Sequence, residues 1–77
     1  MIDIAYGKVT LKLDELMKKQ NISISKLAYR AEMQRTQLKA YLANDVQRVD
    51  LAVLARLCTV LQCDVSDILE YTPPKVP

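Results

Sequence analysis

A chain of 77 residues, half of them apolar and a quarter charged, has room for one domain with one small core and is too apolar to stay unfolded. It has no histidine and one glycine, which rules out a Ser-His-Asp or Cys-His arrangement and a glycine-rich phosphate loop, so no enzyme is expected. The net charge of +2 implies no partner by itself, but residues 18–48 carry seven bases (Lys18, Lys19, Lys26, Arg30, Arg35, Lys39 and Arg48) against Glu32 and Asp45, while the segments on either side are weakly negative.

In residues 1–12, Ile2, Ile4 and Tyr6 alternate with other residues, Gly7 interrupts, and Val9 and Leu11 resume the alternation. This pattern predicts two short strands, a small N-terminal β-arm. Helix one is predicted over Leu13–Gln20. Leu13, Leu16 and Met17 form its inward stripe, Asp14 and Glu15 sit at the positive end of its dipole, and Lys18 and Lys19 sit at the negative end. Asn21 breaks it and Ile22 packs back.

Ser23 is a good N-cap for helix two, which runs to about Ala31 with Leu27 and Ala28 inward. Met33 fills an elbow, and helix three follows from Gln34 to Leu42 with Leu38 and Tyr41 inward. Its other side carries Arg35, Thr36, Lys39, Ala40 and Ala43, which are basic, hydrogen-bonding or small. A helix of this kind can rest on a core and enter the major groove of DNA at once.

A loop over residues 44–49 leads to Asp50, the cap of helix four, Leu51–Leu61. Leu51, Leu54, Ala55, Cys58 and Leu61 form its expected inward face. Val53, Leu57 and Val60 form a second apolar stripe, which needs a cover of its own, either the arm or another subunit. Asp64 caps a last short helix from Val65 to about Leu69. Glu70-Tyr71-Thr72 is a brief extended piece, and Pro73 and Pro74 end regular structure in a tail over residues 71–77. The expected core is Leu16, Leu27, Ala28, Leu38, Leu54, Cys58, Leu61 and Ile68.

Cys58 and Cys63 have no metal or redox spacing and read as small apolar residues in a reducing compartment, so no metal and no cofactor is expected. Neither a signal peptide nor a membrane span is visible, and the expected location is the cytoplasm.

The order Leu27-Ala28, Met33, Leu38, Tyr41 and Asn44 resembles the Cro and phage-repressor helix-turn-helix family, also called the XRE family. The similarity continues through Val49-Asp50-Leu51, Leu54, Leu57-Cys58 and Leu61-Gln62-Cys63, and covers roughly Leu13 to Leu69. The resemblance implies an all-α fold, a compact five-helix lambda-repressor-like domain over residues 13–70. Four positions depart from the family's habit, one of them Leu42, which stands where an acid is often found. Glu32 and Asn44 stand where Gly is usual, and Ile24 stands where a polar residue commonly touches phosphate, so no such contact is expected there.

Residues and resemblance together point to a sequence-specific regulator of transcription bound to double-stranded DNA. Gln34, Arg35, Thr36, Lys39 and Ala40 are the expected base readers, and Lys26, Arg30, Asn44 and Arg48 the expected phosphate contacts. A homodimer is expected, because one helix with so few readers covers too little sequence. The alternative is a protein-interaction module, such as an antitoxin-like partner. A third reading is a helical domain whose basic face merely keeps it solvated.

Overall fold

The computed structural model describes residues 5–75, in which β1 (Lys8–Leu11), α1 (Leu13–Gln20), α2 (Ile24–Arg30), α3 (Arg35–Leu42), α4 (Leu51–Leu61), α5 (Val65–Ile68) and β2 (Leu69–Thr72) follow one another. Three helix starts are set by side-chain caps. Ser23 Oγ accepts the N–H of Lys26 at 3.1 Å, and Asp50 Oδ1 accepts those of Ala52 and Val53. Asp64 and Asp67 form a reciprocal capping box at the start of α5. These are the starts that the sequence marks.

Four helices end in one way. Asn21, Glu32, Asn44 and Gln62 all adopt left-handed backbone, with φ between 53° and 59°. In each case the next residue sends its N–H back to a carbonyl five positions earlier: Ile22 to Met17, Met33 to Ala28, Asp45 to Ala40 and Cys63 to Cys58, at 2.9–3.1 Å. This is the Schellman ending, normally built on Gly. Asn tolerates the conformation, whereas Glu32 and Gln62 carry strain on the order of 1 kcal/mol each. The elbow between α2 and α3 therefore keeps its geometry with Glu at position 32.

The core draws on all five helices: Leu13 and Met17, Leu27 and Ala28, Leu38 and Tyr41, Val53, Leu54, Leu57 and Leu61, and Ile68, with Ala31 and Met33 filling the elbow. Two expected core residues, Leu16 and Cys58, are only half-buried at its margin. Leu16 lies on the flank of the stripe that Leu13 and Met17 define at i, i+4.

The larger correction concerns α4, which is rotated by roughly a quarter turn from the expected face. Val53 and Leu57 are in the core, while Leu51 is 79% exposed and Ala55 is exposed. The rotation buries four branched side chains instead of spending buried positions on Ala55 and Cys58, and it turns Thr59 outward. Val53 and Leu57 of the second stripe are thus covered by the chain's own core, and Val60 is half-buried at its margin.

β1 and β2 form a two-stranded antiparallel sheet in the register Lys8↔Thr72, Val9↔Tyr71, Thr10↔Glu70 and Leu11↔Leu69. The arm is therefore a strand over Lys8–Leu11, but its partner is the far end of the chain and not a local hairpin. Residues 5–7 are not strand, and Ile2 and Ile4 lie outside the described residues. The extended piece at Glu70–Thr72 is β2, so Tyr71 and Thr72 belong to the sheet and not to a tail. A Cβ at Gly7 would collide with the Thr72 carbonyl oxygen, so only glycine lets the chain pass β2 there. Val9, Leu11, Leu69 and Tyr71 share one face. Its inner pair, Leu11 and Leu69, packs on the helical core; its outer pair, Val9 and Tyr71, is 61% and 63% exposed.

Candidate nucleic-acid interface

α3 rests on α2 and α1 through Leu38 and Tyr41, which leaves its opposite side to solvent. Gln34 is its N-cap residue, in extended backbone, with its side chain uncommitted to capping. Gln34, Arg35, Thr36, Lys39 and Ala43 are exposed, and Ala40 is half-buried between them and the core. The first backbone N–H groups of α3 point out beside these side chains with no helical acceptor, so this end is electropositive. The chain thus brings the five expected base readers onto one surface.

On α2, Lys26, Tyr29 and Arg30 share an outward stripe at i, i+3 and i+4, all exposed, while Ile24 is half-buried against the core. Tyr29, 85% exposed, is an aromatic hydroxyl between two cations that the sequence reading passed over. Its position three after Lys26 was the available signal. Arg48 is exposed in the loop after α3. Among the described residues the one ion pair is Lys18 with Asp14, at 3.1 Å on α1, so Lys26, Arg30, Arg35, Lys39 and Arg48 are not neutralised by a neighbouring acid.

Two residues have tasks that the sequence did not suggest. Arg56 Nε donates to the carbonyl oxygen of Ala31 at 2.6 Å, which ties the end of α2 and the elbow to α4. Asn44, an expected phosphate contact, has both ends of its amide engaged with the backbone of Leu11, and its own N–H goes to Tyr41. Cys58 and Cys63 are half-buried free thiols. Burial first, then Cys58 and the carboxylates of Asp67 and Asp64, pushes the Cys63 thiol up to about 11, so it stays protonated and unreactive.

The family model for the Cro/C1-type HTH DNA-binding domain matches residues 12–74. The chain belongs to this family. Among solved structures, that of the transcriptional regulator VanUg in its Form II crystals is similar to the Cro/C1-type domain described here, with 23% identity, a TM-score of 0.73, and coverage of 95% of this chain and 96% of that one. At that identity the likeness speaks to the fold. No curated protein matches the chain. The family match takes in all five helices and β2 but not β1, whose pairing the family pattern does not require. Among the described residues of this Cro/C1-type domain, no helix is long and apolar enough to cross a membrane.

Proposed function

We propose that the chain is a sequence-specific transcriptional regulator that reads the major groove with α3 and its N-cap, Gln34 to Leu42. The observation that carries the reading is the shape of that surface. Gln34, Arg35, Thr36 and Lys39 are exposed on a helix whose back is sealed in the core, with small Ala40 and Ala43 beside them. Arg35, Lys39 and Gln34 have the donors for base edges, and Ala40 fits against a thymine methyl. Lys26, Arg30 and Arg48 flank this surface as phosphate contacts, and the Tyr29 hydroxyl adds a neutral donor. The function is binding without chemistry: no histidine is present and the acids that cap helices are already engaged. Two free thiols fit a reducing cytoplasm.

The reading includes a dimer, which sets two copies of α3 one helical turn of DNA apart, about 34–36 Å. Its surface differs from the one first expected, since Val53 and Leu57 are buried. The apolar sheet face runs out from the core through Leu11 and Leu69 and ends uncovered at Val9 and Tyr71, with exposed Tyr6 beyond. Two such faces meeting across a two-fold axis would cover one another. Strand edges are less suited: Asn44 occupies β1's edge at Leu11, the Leu69 N–H already bonds to Val65, and Pro73 follows β2.

The test is selection from a randomised duplex library, followed by titration. Arg35→Ala with Lys39→Ala is expected to lose about 1–3 kcal/mol of discrimination per base contact. Lys26→Ala, Arg30→Ala and Arg48→Ala together are expected to flatten the salt dependence and spare the preference. If no duplex is selected and no salt-sensitive complex forms, the interaction-module reading takes its place.

A further inference from the structure

Asn44 is left-handed at φ 59°, two residues beyond the end of α3, and it closes a ring with β1. Its Oδ1 accepts the N–H of Leu11 at 2.6 Å, and its Nδ2 donates to the carbonyl oxygen of Leu11 at 3.2 Å. A primary amide presents a donor and an acceptor side by side, as one residue of a neighbouring strand does. Asn44 therefore stands where a third strand would begin.

The ladder agrees with this placement. Antiparallel pairs alternate between hydrogen-bonded and non-bonded. Lys12 donates its N–H to Ile68 at 2.6 Å, so the preceding pair, Leu11 and Leu69, is a non-bonded one. Leu11 turns its N–H and C=O away from β2, and Asn44 receives both. Both bonds are exposed to solvent, where water replaces them at little cost, so what they provide is geometry more than stability. The left-handed backbone itself would suit glycine better, so the amide is the specific contribution of Asn at this position.

α3 has eight residues and is about 12 Å long, so the anchors at its two ends set its tilt. At the elbow the anchor is Arg56 on Ala31; at the other end it is Asn44 on β1. We propose that Asn44 is a positioning residue for DNA recognition, and that through it the position of β1 is felt at the reading face of α3. The inference rests on the assignment of α3 as the reading helix. A partner that grips the sheet face then alters α3, and DNA bound on α3 alters the sheet in return, because coupling between sites is reciprocal.

The full-length chain is compared with Asn44→Gly, which keeps the left-handed backbone and removes both bonds, and with Thr10→Pro, which removes an N–H from β1's ladder. The double variant completes the set. Circular dichroism confirms that the helices are intact, and each protein is titrated with the site selected by the wild-type chain and with a random duplex. Asn44→Gly is expected to keep its affinity for the random duplex and to lose at least about fivefold of its preference for the selected site. Thr10→Pro is expected to cost a similar factor in the wild-type background and nothing more in Asn44→Gly. Asn44→Asp, which sets a carboxylate oxygen against the Leu11 carbonyl, is expected to lose preference too. Full preference in Asn44→Gly or Asn44→Asp, or a Thr10→Pro loss of the same size in both backgrounds, overturns the inference while leaving the reading helix in place. A wild-type chain that selects no site overturns the assignment of α3 itself.

Discussion

Leu57 on α4 and Val9 on β1 are both aliphatic and both sit within regular structure, yet Leu57 is fully buried and Val9 is 61% exposed. The helical body closes its core within one chain: each helix turns branched aliphatic side chains inward, with Leu51 and Val65 as the exposed exceptions. The sheet closes nothing comparable. Its apolar face is half on the core and half outside it, and it is held by its ladder, by Lys12 on Ile68 and by Asn44 on Leu11. A two-stranded sheet is marginal in water without such support. The body thus supplies the stability and the sheet supplies a surface, so a change at the exposed half of the sheet need not register in the stability of the body.

The largest expected effect breaks the body. Leu57→Ala removes a fully buried side chain at the centre of α4 and is expected to cost about 2–5 kcal/mol, read as a fall in the denaturant midpoint. A midpoint shift near zero would mean that α4 is turned the other way, with Leu51 inward. Glu32→Gly relieves left-handed strain at the elbow and is expected to raise stability by about 1 kcal/mol in the same assay. A loss there would show that the Glu32 side chain contributes something beyond its backbone shape.

Val9→Ser with Tyr71→Ser tests the other side of the comparison. The midpoint is expected to move by no more than about 0.5 kcal/mol per exposed site. Sedimentation equilibrium is expected to show weaker self-association than wild type. A large loss of stability with unchanged association would make the sheet part of the body after all.

An effect confined to alkaline pH lies at the junction of the two regions, where Cys63 leads from α4 into α5 and β2. Its thiol holds its proton more tightly in the folded state, with a pKa raised from 9.0 to about 11. The stability this contributes is complete below pH 9 and is lost as pH rises through about 11. Over that window the wild-type chain is expected to lose stability relative to Cys63→Ala, and a constant difference between the two would show an ordinary thiol.

The body was legible in the sequence because its signals are local. Ser23, Asp50 and Asp64 mark starts, and the spacing of Leu27, Leu38 and Tyr41 marks faces; all of these are short-range facts. α4 was misjudged because LAVLARLCTVL is apolar nearly all round, so periodicity gives it no phase. Thr59 and the two small alanines, Ala52 and Ala55, held the answer, since all three face out. The strand at Val9–Leu11 was visible by alternation, but its pairing with Leu69–Tyr71 was not, since nothing in either segment names a partner so far away. At the candidate interface, Arg35, Thr36 and Lys39 are placed by helical spacing alone. The tie from Asn44 to Leu11 was hidden for the opposite reason: Leu11 comes near it only in the folded chain.

The strand pairing also sets an order of events during folding. α2 with α3 and α4 with α5 meet close along the chain, and such contacts form quickly, whereas α1 meets the more distant α3, α4 and α5. β1 and β2 join the first described element to the last, so their ladder can form only after a long loop has closed, against the chain entropy that closure removes. Packing of the helices shortens that loop before the strands meet. The sheet is therefore the final element to zip and the first to open, and a newly made chain carries a helical core before the surface at Val9 and Tyr71 exists.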